Sequence, residues 1–195
     1  MDLRRWQGLY ARAERAASRF FGEHLGVVCA RCYEASEARH DPAFCCCRRT
    51  NFVPEILTDP LLGGLAEESL GHSLLPLARP LHSPGCAALG PDGCRLPLGR
   101  PDACHAYTCD YLYHCLEGIL PPAVILQLQE GLEVFTAIRE ARRTDQAAFA
   151  ACQAQVEQLE AALEQASRQL QEQSAPFAAR KEAVIAEMLP PATTP

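Results

Sequence analysis

Residues 149–170 read FAACQAQVEQLEAALEQASRQL, and the positions Phe149, Cys152, Val156, Leu159, Leu163, Ala166 and Leu170 follow one another by alternating three- and four-residue steps. Only a helix gathers such positions onto one face, so the stretch is the seam of a coiled coil or of a helical hairpin. Cys152 lies inside the seam, where a small buried side chain is expected, and it is read as structural. Upstream, Ile125, Leu128, Leu132, Phe135 and Ile138 predict a helix that runs to about Arg143. Thr144 or Asp145 can cap the next helix, which sets the bend there; one long kinked helix is the alternative. Downstream, Ser174-Ala175-Pro176 interrupts the pattern, and a short helix over about 177–189 presents Phe177, Val184, Ile185 and Leu189 before Pro190-Pro191 stops it.

At the other end, Leu3, Trp6, Leu9, Tyr10, Ala13, Ala17, Phe20 and Phe21 recur at helical spacing, which predicts an amphipathic helix over 3–25 packed on the rest of the chain. Between Gly26 and Pro122, cysteine, proline, glycine and histidine break up every long pattern, leaving turns and short helices near 54–70 and 102–118. The expected architecture is therefore mainly α: an irregular cysteine-rich metal-binding domain with short helices, flanked by an N-terminal helix and a C-terminal helical hairpin or coiled coil. The division falls at residues 1–121 and 122–195.

The net charge of -6, from 24 acidic and 18 basic residues, argues against nucleic acid as a partner, since counterion release needs a concentrated cationic surface. Five arginines against two acids in 2–19 make one basic helix, which is too little to reverse that reading. No apolar run approaches the roughly 18 residues of a membrane span, and the first residues lack the apolar core of a secretory signal. The expectation is a cytoplasmic protein, where eleven cysteines call for a use other than stable disulfides.

Ten of those cysteines lie between Cys29 and Cys115. Cys29 and Cys32 form a CxxC unit, followed by Cys45, Cys46 and Cys47. A second group comprises Cys86, Cys94, Cys104 and Cys109, with Cys115 in reserve. CxxC turns let two thiolates reach one ion, which is why they recur in zinc and iron-sulfur sites. Consecutive cysteines diverge in direction, so two of Cys45, Cys46 and Cys47 are expected to join Cys29 and Cys32 in one four-thiolate set. The second group makes another, or a single cluster draws on both. If Asp102 caps a helix, His105 and Cys109 fall on one face; His105 and His114 are secondary ligand candidates. Buried cysteines acting as small hydrophobes are the alternative for one or two positions, and a redox dithiol at Cys29 and Cys32 is a further one.

The segment from Gly85 to Cys109, with Cys86 and Cys94 spaced as C-x7-C, then Arg100-Pro101 and Cys104, resembles the zinc- or iron-chelating domain family of the CxxCxxCC type, whose members are labelled iron-sulfur-cluster-containing proteins. Cys29, Cys32 and the Cys45–Cys47 run stand where that family carries its upstream cysteines. The resemblance covers about 26–118 and implies metal binding through these cysteines, with zinc or an iron-sulfur cluster as the cofactor.

No HExxH, GxSxG or phosphate-loop spacing occurs, so the residues offer no catalytic constellation. The expected function is a non-enzymatic protein whose cysteine-ligated zinc supports protein interaction. An iron-sulfur protein in electron transfer, redox sensing or a modifying enzyme, and a metal storage or delivery protein, are the alternatives. A protein partner or a homodimer is expected to engage the C-terminal helices.

Overall fold

The computed structural model describes residues 2–40, 52–75, 86, 88–90, 93–106, 109–142 and 146–188. Helix α1 spans Leu3–Ala38, with the Asp2 side chain accepting the Arg4 amide at 3.0 Å as its N-cap. It runs well past the expected end near residue 25. Leu25, Val28, Cys32 and Ala35 continue the three- and four-residue spacing and are all buried. That burial outweighs the roughly 1 kcal/mol that Gly26 costs inside a helix. The CxxC unit therefore sits on a helix rather than in a turn.

The expected helix near 54–70 is two, α2 at Val53–Thr58 and α3 at Pro60–Leu70. Pro60 has no amide to continue α2 and forces the preceding residue out of the helical region, so Asp59 is extended at φ -99° and ψ 111°. Asp59 then caps α3 by accepting the Leu61 amide at 2.9 Å. A two-stranded antiparallel hairpin follows, β1 at Leu89–Gly90 and β2 at Gly93–Cys94, with Leu89 opposite Cys94 and Gly90 opposite Gly93. The sequence reading missed it, although the Pro91-Asp92-Gly93 run is a turn signal.

Short helices α4 (Asp102–Ala106) and α5 (Asp110–Leu116) replace the single helix expected near 102–118. Then come α6 (Pro122–Leu132), α7 (Val134–Ala141), α8 (Gln146–Glu172) and α9 (Ser174–Met188). Glu133 divides α6 from α7 where one helix was expected. Gly131 faces Leu159, and the Gln173 side chain reaches the Ile119 carbonyl at 2.8 Å, so α6–α7 and α8 run antiparallel.

The seam of α8 is covered within the chain. Val156, Leu159, Leu163, Ala166 and Leu170 lie in one core with Trp6, Tyr10, Ala13, Ala17 and Phe20 of α1 and with Ile125, Leu128, Leu132 and Phe135 of α6 and α7. Along its length, α1 packs parallel to α8: Trp6 meets Phe149 edge-on at 5.0 Å, Arg12 bonds Glu160 at 2.8 Å, and His24 bonds Ser167 at 2.8 Å. On the far side α9 closes over α1 and α5, with Lys181 donating to the His24 carbonyl and Arg180 to that of His114.

This arrangement corrects the expected fold class. The chain is mainly α, but among the described residues no group of three or more His, Cys, Asp or Glu is placed to hold a metal ion. The described residues of the middle segment are organised by helix packing and by a buried carboxylate rather than as an irregular metal-binding domain. No helix among the described residues is long and apolar enough to cross a membrane.

Candidate functional site

Glu14 falls on the inward face of α1, between Tyr10 and Ala17, and is fully buried. Its Oε2 accepts the Gly99 amide at 2.7 Å; its Oε1 accepts the Arg100 amide at 3.1 Å and Arg100 Nε at 2.9 Å. His105 Nε2 lies 3.3 Å from Oε1 but off the direction of a hydrogen bond, so that contact is electrostatic. Burial pushes the Glu14 carboxyl up, but His105, the Arg100 guanidinium and the Gly99 amide together outweigh it and hold it below the usual carboxylate range. Buried and accepting from three donors, Glu14 is a clamp for the 99–105 segment.

The segment is also held on its other sides. Tyr10 Oη donates to the Arg100 carbonyl at 2.5 Å, and the His105 ring stacks on Phe135 at 3.9 Å. Asp102 accepts from Thr136 at 2.9 Å and from Arg139. Arg139 also meets Glu55 at 2.7 Å, and Arg142 donates to both oxygens of Asp59 at 2.6 and 3.1 Å. Gly99, at φ +84°, passes so close to α3 that a Cβ would stand 2.7 Å from the Ala66 amide nitrogen. Glu14, Thr136, Arg139 and Arg142 were not singled out from sequence, whereas His105 and Asp102 were. The one signal for the clamp is a glutamate at an inward position of an otherwise apolar stripe.

The cysteines go to different places. Cys29 is exposed on α1 and Cys32 is buried three residues on; Cys86 is half-buried, Cys94 and Cys104 are exposed, and Cys109 is half-buried. Cys115 and Cys152 are buried in the core. Cys45, Cys46 and Cys47 lie outside the described residues. His105 is taken up by Glu14 and Phe135, and Cys109 begins α5 in an extended conformation, so the two do not share the single helix face expected of them. His114 is exposed and pairs with Glu117 at 2.9 Å.

These placements overturn the cofactor reading. Among the described residues there is no ligand set for zinc or for an iron-sulfur cluster, so the zinc-supported function falls, and with it the cluster and storage alternatives. The resemblance to the chelating-domain family falls on the same ground. The physical reason is helical phase: Cys32, Cys115 and Cys152 occupy core positions of three separate helices and serve as small apolar side chains. Burial pushes the thiols of Cys115, to about 11, and of Cys152 upward, which keeps them protonated. At Cys94, desolvation raises the thiol against the opposing pull of the Leu96 backbone and Arg100, although the residue is exposed.

A different concavity remains open. Between α6–α7 and α8 runs a groove of about 970 Å³. Its floor is built of small or short side chains: Gly131, Val134, Ala137, Ala161 and Ala162. Glu130, Glu133 and Glu140 line one side, and Gln155, Gln158 and Gln165 the other. Every charged residue lining it is acidic. Gly131 lets the two helices approach closely at the groove, because a Cβ there would stand 3.0 Å from Leu159 Cδ1 and push them apart.

Comparison with known proteins returns no match to a family model, to a curated protein or to a solved structure.

Proposed function

We propose that this chain is a protein-docking module, a helical scaffold that receives another polypeptide in the groove between α6–α7 and α8. The observation behind this reading is the groove itself: a small-residue floor that admits close approach, flanked by polar side chains, on a face the chain's own core leaves uncovered. The buried clamp at Glu14 serves it indirectly by holding α7 through Phe135, Thr136 and Arg139, so the groove wall is presented on a rigid element.

The seam residues Leu159 and Leu163 are engaged inside the chain, so partner binding is assigned to the outer side of the hairpin. The test is selection of binders from an unbiased library of displayed helices, scored against Ala161→Trp, which fills the groove from an exposed position. Selected binders that compete with one another and lose affinity for the filled groove support the reading. Binders that keep full affinity for Ala161→Trp overturn it.

A further inference from the structure

The two sides of the groove carry different chemistry. On the α6–α7 side the carboxylates stand at 130, 133 and 140, steps of three and seven residues. On the α8 side the amides stand at 155, 158 and 165, steps that run in the opposite sense along the groove because the helices are antiparallel. The acids stand on the α6–α7 edge together with Gln127 and Thr136, and the amides on the α8 edge, with Val134, Ala137 and Ala161 between them. Among the described residues, none of the three carboxylates is neutralised by an ion pair within the chain; the ion pairs formed by Arg12, Arg100, Arg139 and Arg142 are directed elsewhere.

We infer that the occupant of this groove is a basic amphipathic helix of another protein, about three turns long. This rests on the docking reading above and adds the chemistry of the partner. The acidic edge covers residues 130–140, eleven positions, or roughly 16 Å of helix, which is three turns. A helix with apolar residues at i, i+3, i+4 and i+7 sets that stripe on the alanine floor. Lysines or arginines on one flank then meet Glu130, Glu133 and Glu140, while polar side chains on the other flank meet the glutamines. An acidic helix is repelled by the edge, and an extended basic segment does not match steps of three and seven. The chain's own net charge of -6 likewise favours a positively charged partner at long range.

The experiment measures fluorescence anisotropy of three synthetic peptides: a basic amphipathic helix, its acid-for-base inversion, and the basic peptide with a central proline. Each is titrated with the full chain, with the E130K/E133K/E140K variant and with Ala161→Trp, whose helical content is checked by circular dichroism. The basic helix is expected to bind, to weaken about tenfold or more on charge reversal, as three surface ion pairs imply, and to weaken with added salt. Equal binding of the inverted or proline peptide, or indifference to charge reversal, overturns the basic-helix inference. If binding is also indifferent to Ala161→Trp, the docking reading goes with it; if Ala161→Trp abolishes it, that reading survives. Sedimentation of the chain without peptide is expected to give 21.3 kDa. A dimer dispersed by the charge reversal makes the occupant a second copy and also overturns the inference.

Discussion

The carboxylate of Glu14, in the first third of the chain, receives the backbone amide of Gly99 at 2.7 Å inside the core. That single bond joins α1 to the turn that starts the 99–105 segment, and through Arg100 and His105 it decides where α4 lies against α7. A buried carboxylate with three hydrogen-bond donors is stable only as a complete set.

Removing Glu14 is therefore costly. Glu14→Ala leaves two amides and the Arg100 guanidinium without their acceptor, and a loss of about 3–5 kcal/mol is expected. Glu14→Gln keeps the shape but replaces one acceptor with a donor facing Arg100, and is also expected to destabilise. Urea unfolding of both variants checks this, and a loss below about 1 kcal/mol for Glu14→Ala would contradict the clamp.

Acid should weaken the fold from two sources of the same sign. Burial holds the His105 imidazole below its ordinary 6.5, so the unfolded chain takes up a proton that the folded chain resists as pH falls below about 6.5. Glu14 titrates below the usual carboxylate range, so its contribution is present above the unfolded value and is lost as pH falls through the folded one. The expected profile of Tm is flat near pH 7–8, declines below about pH 6.5 and declines further in the carboxylate range. His105→Phe, which keeps the stacking on Phe135, should remove the first decline. Calorimetry across this range reads both.

Gly99→Ala should cost about 3 kcal/mol, combining a left-handed backbone at φ +84° with overlap against the Ala66 amide. Gly71, also left-handed at φ +71°, has open space where its Cβ would go, so Gly71→Ala carries only the backbone part, about 1 kcal/mol. Thermal unfolding of the pair separates strain from overlap.

Leu159→Asp and Leu163→Asp place a charge in a core where the wild-type side chains are 0% and 5% exposed. Each should unfold the chain or lower its stability by about 4 kcal/mol. A seam that joined two chains, the coiled-coil alternative to an intrachain hairpin, would instead give a change of solution mass from dimer to monomer. Circular dichroism and sedimentation of the variants distinguish loss of helix from loss of association.

Thiol labelling should divide the cysteines by element. Cys29 and Cys104 are exposed and should react first with a neutral maleimide; Cys115, pushed up to about 11, and buried Cys152 should react only after unfolding. Cys94 should lag behind Cys104 despite its exposure, because its thiol is raised. Time-resolved mass spectrometry gives the order, and rapid native-state labelling of Cys115 would remove it from the core.

The helices at both ends were legible because periodicity is a local property: Phe149 to Leu170 and Leu3 to Phe20 turn one face inward whatever they pack against. Pro122 marked a boundary for an equally local reason, the missing amide, whereas the same local signals at Asp59 and Pro60, the side-chain cap and the missing amide, were read through. The partner of each face was not local. Whether the seam at Leu159 met a second chain or α1 of its own depended on how 195 residues closed on themselves. The cysteines were misread for the same reason. Their spacing counted residues along the chain, whereas ligation requires sulfurs to converge in space, and the helical phase of α1, α5 and α8 sends Cys32, Cys115 and Cys152 into the core while Cys29, Cys94 and Cys104 stay outside. Sequence by itself determined a mainly helical chain with two amphipathic ends. Only the tertiary structure decided that Glu14 and Gly99, 85 residues apart, are partners, and that the open groove flanks the seam, because burial and charge pairing are settled by the packing of elements and not by their order.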